Sequence, residues 1–518
     1  MKSKITLALI ILFSVVKAQV FTSSNLPIVV LKTFGGVGIP DEPKVPCVMG
    51  IIDNPTGRNN VTDPYTGYFG KILIEQRGAL SQVYSQKSWL LETVDAATDA
   101  SIKVPLLGMP AEDEWILYAP YNDKSMIRNY LIYRLMSEMG HWAPRMRFCE
   151  VTLNGQYVGV YALMENIKRG KNRVNIDKMD IDDNAGDSLT GGYIVEYGFP
   201  PKYPKNPTPQ QQNYIYQYFN DFSTALYGAN FADPSQGYNK YIKVSTFIDY
   251  LLIVDFGRNQ DSYARSTYFY KENISNDSGQ LKAGPVWDYN YAFGTSPWYG
   301  AVDNGFIYYL GGIGNTTLFM NRLMEDSNFA NKTRCRYDWL RTKTFDTVYV
   351  NSIMDVMHDS LKEASQRQFT LYPQLLNPSC FDCYNNYSPL PVPVTFEEEY
   401  RYVKDWLHRR ITWIDANLPG NCHSVGTEEN TAKEAYLVLY PNPVQQTLNI
   451  NFLLNQANTI SYEIYNANGQ LVLKKELGFL QASDYTIPVT DFENVNAGLY
   501  LLKLNTGNQI TNKTFIKQ

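Results

Sequence analysis

The sequence breaks at one place in a way that limits what the chain can fold into. Residues 418 to 434, LPGNCHSVGTEENTAKE, are small and polar between two stretches rich in apolar residues. Such a segment cannot bury enough surface to order itself, so it reads as a linker. Beyond it the pattern is strand only. LVLYPNPVQQTLNINFLL and ISYEIYNANGQLVLKKEL alternate apolar and polar residues and are parted by Asn-Pro and Asn-Gly turns. Before it, helix and strand patterns mix. The spacing predicts an α+β body over 19–420, a linker over 421–435 and a small all-β sandwich over 436–518.

The first 18 residues have the form of a signal peptide. Lys2 and Lys4 precede the apolar run ITLALIILFSVV, and Val16-Lys17-Ala18 offers a cleavage site. The run is shorter than the roughly 20 residues a spanning helix needs. No other segment is long and apolar enough to span, so the mature chain is expected to be exported without a transmembrane helix. The net charge is −5, which gives no electrostatic case for nucleic acid.

In the body, LPIVVLKT and KILIE read as strands. Gly35, Gly36 and Gly38 have no helix start after them, so they read as an ordinary loop. IEQRGALSQVYSQKSWLLETVD reads as strand, loop, strand, and such a hairpin would aim Arg77, Ser81 and Lys87 at polyphosphate oxygens. A solvated hairpin is the plainer alternative. Asp123 is a candidate cap for the helix KSMIRNYLIYRLMSEMG, and FCEVTLNGQYVGVYALMENI is a hairpin about Asn154-Gly155 that ends at Glu165. Residues 350–372 and 395–417 read as amphipathic helices.

The chemistry concentrates in residues 255–294. Asp261 follows Asn259 and Gln260 at the end of the apolar run TFIDYLLIVDFG. STYFYK reads as a strand and NISNDSG as a turn. Asp288 and Asn290 then follow the apolar GPVW. Phosphoryl transfer uses one carboxylate to orient the attacking hydroxyl, and a second carboxylate with an amide to hold magnesium. A cap or turn role for each Asp is the plain alternative. Asp255-Phe256-Gly257 matches a kinase metal motif in letters only. It precedes the candidate base, and Asp255 reads as a helix-end packing residue.

The six cysteines allow 15 pairings, and Cys380–Cys383 lacks the second pair that a zinc site would need. The four histidines form neither a His-x-x-x-His pair nor a partner to a G-x-S-x-G elbow, which argues against zincins and serine hydrolases.

Two resemblances extend these readings. Tyr440-Pro441-Asn442-Pro443, Tyr465 to Gln470, Ala497 to Tyr500 and Lys513 to Lys517 resemble the type A C-terminal sorting domain of the type IX secretion system. That implies export in a Bacteroidetes-type bacterium, the secretion machinery as partner, and release or surface attachment. In the body, the resemblance is to the spore coat protein H (CotH) kinase family. The matching residues are Arg77-Gly78 with Ser81 and Lys87-Ser88-Trp89, WILYAPYNDKSMIRN, Asn154 to Glu165, Asp261 and Trp287-Asp288.

The family resemblance implies an atypical protein-kinase-like, two-lobed fold. It implies transfer of the ATP γ-phosphate, with Mg2+ or Mn2+, to Ser or Thr of an extracellular protein. Asp261 then corresponds to the catalytic Asp, Asp288 to the metal Asp, and Arg77 and Lys87 to the phosphate clamp with Ser81. Glu165 corresponds to the residue beside the adenine hinge. Ser266 stands where the family commonly has a metal-binding Asn, and Asn290 is a candidate to complete that shell. Ser is a poorer magnesium ligand than an amide carbonyl. A pseudokinase-like binding protein therefore stays open, as does a glycan- or matrix-binding module using some of the 40 tyrosines.

Overall fold

The computed structural model describes residues 21–422 and 437–517, apart from 56, 296–301, 378–391, 455–456, 468, 482, 491–494 and 508–509. The signal segment 1–18, nearly all of the 421–435 linker and the Cys380–Cys383 pair lie outside the described residues. The chain divides into two compact units, 1–423 and 424–518.

The first unit begins with a closed barrel. Its strands are β1 (Ile28–Thr33), β2 (Val45–Ile52), β3 (Tyr68–Arg77), β4 (Ser88–Thr93), β5 (Glu114–Tyr118), β6 (Met146–Leu153) and β7 (Gln156–Glu165). They close in the order β6-β7-β5-β4-β3-β2-β1, with β6 parallel to β1 and the other pairs antiparallel. Successive side chains on a strand point to opposite faces, so every second residue enters the barrel. Val29 and Leu31, Cys47, Met49 and Ile51, Trp89 and Leu91, and Trp115 and Leu117 fill it together. On β5 and β7 the opposite face is apolar too. Ile116, Val160, Ala162 and Met164 pack outward onto the helices. That face fixes which side of the barrel meets the rest of the unit. The β6–β7 turn is Asn154-Gly155, both with positive φ, as the twist of a tight hairpin requires.

The rest of the unit is built on α1 (Arg128–Glu138), α2 (Pro209–Tyr227), α3 (Val244–Gly257), α4 (Ser327–Arg341), α5 (Thr347–Leu371) and α6 (Phe396–Asn417). A small antiparallel sheet of β8 (Tyr193–Glu196), β9 (Pro201–Tyr203), β10 (Tyr268–Lys271) and β11 (Leu281–Ala283) runs in the order β9-β8-β10-β11. Helix α3 is buried from Thr246 to Gly257, as an all-round apolar helix must be. Two local expectations shift. NISNDSG holds a short helix at Ile274–Asp277. Asp123 is not the residue adjoining α1; its carboxylate takes the amides of Ser125 and Arg128 and starts the helix one turn later.

Cys335 in α4 is bonded to Cys422, 87 residues further along the chain. Cys47 and Cys149 are free inside the barrel, where burial pushes their thiols up to about 11 and about 12.

The second unit is all strand: β12 (Leu437–Tyr440), β13 (Leu448–Leu454), β14 (Asn458–Asn466), β15 (Leu471–Leu480), β16 (Ser483–Val489), β17 (Gly498–Asn505) and β18 (Ile510–Lys517). They form sheets β12-β13-β16 and β15-β14-β17-β18. Leu448, Ile450 and Phe452 of one sheet share a core with Ile460, Tyr462, Ile464, Leu502 and Leu504 of the other.

Candidate active site

A cleft of about 540 Å³ in the first unit gathers most of the residues singled out from the sequence. Arg77, Ser81, Asp261, Ser266, Asp288 and Asn290 all line it. Three short segments bring them there.

The first is the β3–β4 connection. Arg77 ends β3 and pairs with Ser88. Gly78 follows at φ +101°, and a Cβ there would lie 2.0 Å from Ser81 Oγ. Glycine alone lets the loop fold Ser81 back over the strand end. The Arg77 guanidinium carbon lies 5.5 Å from the centre of the Trp287 ring, a cation–π approach. Burial lowers its pKa, and Asp288 opposes that.

The second segment follows α3. Arg258 ends the helix in the left-handed region, and the chain turns through Asn259 to Asp261, whose carbonyl accepts from Arg265 N at 2.9 Å. Asp261 is buried, and its Oδ1 has no hydrogen-bond partner among the described residues. Burial, with Asp288 nearby, pushes its carboxyl up to about 7, and Arg265 acts against this. Such a group exchanges a proton near neutral pH.

The third segment is Asp288 to Phe293. Asp288 has φ +64°, a region a non-glycine residue occupies only when its surroundings hold it there. Here its N–H donates to Tyr133 Oη at 3.2 Å, and its carbonyl accepts from Asn259 Nδ2 at 3.1 Å. The next amide, Tyr289 N, donates to Asn129 Oδ1 at 2.6 Å. Arg128 donates to the carbonyls of Ala292 and Phe293, its charge met by Asp123 and Glu399. Burial raises the Asp288 carboxyl, and Arg77 opposes this. Asn290 Oδ1, also buried, has no hydrogen-bond partner among the described residues.

Arg258, Tyr263, Ser266, Asp288 and Phe293 all take left-handed backbone within this stretch. Concentrated strain of this kind accompanies functional sites. Among the described residues no cluster of three His, Cys, Asp or Glu side chains could hold a metal ion. A cation here would rest on Asp288 with the Asn290 amide oxygen. Magnesium accepts so sparse a set because water and phosphate oxygens complete its shell. The orphaned, buried amide oxygen of Asn290 fits such a group.

Two expected site residues do not line the cleft. Lys87 Nζ donates to Gln82 O at 2.6 Å and so braces the loop that carries Ser81. Glu165 is fully buried at the end of β7, where Arg145 and Arg173 saturate its carboxylate; its neighbour Met164 faces the cleft instead. Asp255 caps the turn at Ile307, accepting its N–H at 2.6 Å, and lies against Arg410. Sequence reading missed Tyr133, Glu196 and Arg265 of the lining, and gave no role to Asn129, the last residue of the matched WILYAPYNDKSMIRN. For Tyr133 there was no signal, because it occupies a core-facing helical position. Arg265, one turn of chain after Asp261, was visible.

The profile of the family described as CotH kinase protein matches residues 74–414, and that of the secretion system C-terminal sorting domain matches 438–518. The inner spore coat protein H of Bacillus subtilis (strain 168) is 25% identical over 189 residues, 34% of this chain and 49% of that protein. The chain thus spans about half the length of the curated relative it matches. The cleft residues 77 to 291 fall within the first matched region, and the two-sheet unit coincides with the second. The sorting domain indicates export by the type IX system. The chain belongs to the CotH kinase protein family and carries a secretion sorting domain at its carboxyl end.

Proposed function

We propose that the cleft transfers the γ-phosphate of ATP to a Ser or Thr hydroxyl of an extracellular protein. In this reading the barrel and the helical part act as the two lobes of an atypical kinase. The observation that carries it is the convergence of Asp261 and Asp288 on one cleft, with buried acceptor oxygens that no group among the described residues satisfies and Arg77 in the same lining.

Bound magnesium would neutralise charge on the phosphates as it develops. Asp288 and Asn290 would hold that ion, and Arg77 would set a guanidinium against the phosphate oxygens. Asp261 orients the acceptor hydroxyl and takes its proton as the new O–P bond forms and ADP leaves. A carboxyl lifted to about 7 suits that task at neutral pH. Gly78 lets the β3–β4 loop lie close to the ligand, and Ser81 offers it a hydroxyl.

A second reading, a nucleotide-binding pseudokinase, draws on Ser266, which lines the cleft where an amide would serve a cation better. Incubation with γ-labelled ATP, Mg2+ or Mn2+ and a Ser-rich acceptor separates the two. Transfer abolished by Asp261→Asn supports the kinase. ATP binding without transfer under any metal supports the pseudokinase, and no ATP binding refutes both.

A further inference from the structure

A second cavity of about 300 Å³, also lined by Tyr133, opens between α1 and the start of β6. Its cations are Arg134, Arg145 and Arg147, and Tyr130 and Ser137 add hydroxyls. One carboxylate, Glu138, lies in the lining, where it is held by Arg134 and by Tyr349 Oη at 2.7 Å. Arg145 is fixed from behind by Glu165 at 2.7 Å and by Asn172 O at 2.6 Å, so its fork is set before any ligand arrives. Arg147 makes no ion pair among the described residues; its one bond is to the carbonyl of Met146 at 3.3 Å.

We propose that this groove is a binding site for a phosphate group. Three guanidinium groups against one lining carboxylate leave excess positive charge on a chain whose net charge is −5. Glu138 takes only the Nε of Arg134, and one oxygen of Glu165 takes Nε and Nη2 of Arg145. Donors left on three separate guanidinium groups suit a tetrahedral anion with three or more acceptor oxygens. Free phosphate and a phosphorylated side chain share that chemistry. The site does not depend on phosphoryl transfer in the neighbouring cleft, although Tyr133 walls both cavities.

The test is calorimetric titration of the exported full chain with inorganic phosphate, and separately with a phosphoserine peptide. An Arg77→Ala background removes one of the two arginines that line the main cleft, the other being Arg265. Saturable phosphate binding should persist in Arg77→Ala. Adding Arg134→Ala and Arg147→Ala should weaken it at least tenfold, with the melting temperature unchanged. Both substituted side chains are on the surface, and Arg145 is left in place to hold Glu165. A phosphoserine peptide binding more tightly than inorganic phosphate supports the groove with a phosphorylated side chain as occupant. The reverse order supports it with free phosphate. The proposal is overturned if Arg77→Ala alone abolishes binding, if the added pair changes nothing, or if the chain binds neither probe.

Discussion

Replacing Asp261 by Asn should make the protein more stable and catalytically dead. The carboxyl is buried and Asp288 lies nearby, so its pKa rises from an ordinary 3.8 to about 7, and one of its oxygens has no partner among the described residues. The folded chain therefore prefers the neutral acid. The resulting penalty on the fold is absent below about pH 4, grows as pH rises through the interval, and is complete above about 7. At 1.36 kcal/mol per pH unit it amounts to about 4 kcal/mol at pH 8. Asn removes the charge at equal size. For a unit of this length the melting temperature should rise by roughly 4–5 °C at pH 8, and the gap should shrink toward pH 5. Scanning calorimetry with chelator present, from pH 5 to 8, reads the gap. The same variant should lose phosphoryl transfer by about 100-fold or more. A variant less stable than wild type at pH 8, or a gap independent of pH, would refute the claim that Asp261 is an uncompensated buried charge held for function.

Arg77→Ala should weaken ATP binding by about 1.5–3 kcal/mol, the worth of one charge-assisted hydrogen bond, and leave adenosine binding unchanged. Lys87→Ala should change ATP affinity much less, because its ammonium serves the loop carbonyl of Gln82; competition binding with the two ligands separates the pair. Asn129→Ala leaves the buried Tyr289 amide without its acceptor and should cost about 1–3 kcal/mol of stability, with manganese affinity falling in parallel in the same calorimetric titration. Ser266→Asn should leave stability unchanged, because Asn tolerates the left-handed φ of +49°. It should also tighten manganese binding if an amide joins the cation shell, and weaker binding would place the shell elsewhere.

How much of this was legible in the chain differs by residue. Asp261 and Asp288 stood out because each follows the end of an apolar run, with a strand and a turn between them. The Asn154-Gly155 hairpin and the long helices followed from local turn chemistry and periodicity. The barrel did not, because its closure depends on β6 meeting β1, a parallel pairing more than 100 residues apart that no local pattern records. Glu165 illustrates the limit for site residues. A Glu at the end of a strand looks free to reach a ligand, and only the fold brings Arg145 and Arg173 onto it. The partner of Lys87 was hidden for the same reason, being a carbonyl five residues away in a loop whose shape depends on Gly78. Tyr133 and Asn129 lie on the stripe of α1 that any periodic reading assigns to the core, yet they hold the Asp288 loop.

Crystals of the chain grown with Mn2+ and a non-hydrolysable ATP analogue, examined at the manganese absorption edge, give the most direct test of the central claim. The account predicts an anomalous peak against the Asp288 carboxylate and the Asn290 amide oxygen, with the γ-phosphate between Arg77 and Asp261. A nucleotide bound with its metal anywhere else on the chain, or bound in this cleft with no metal at Asp288, would contradict it.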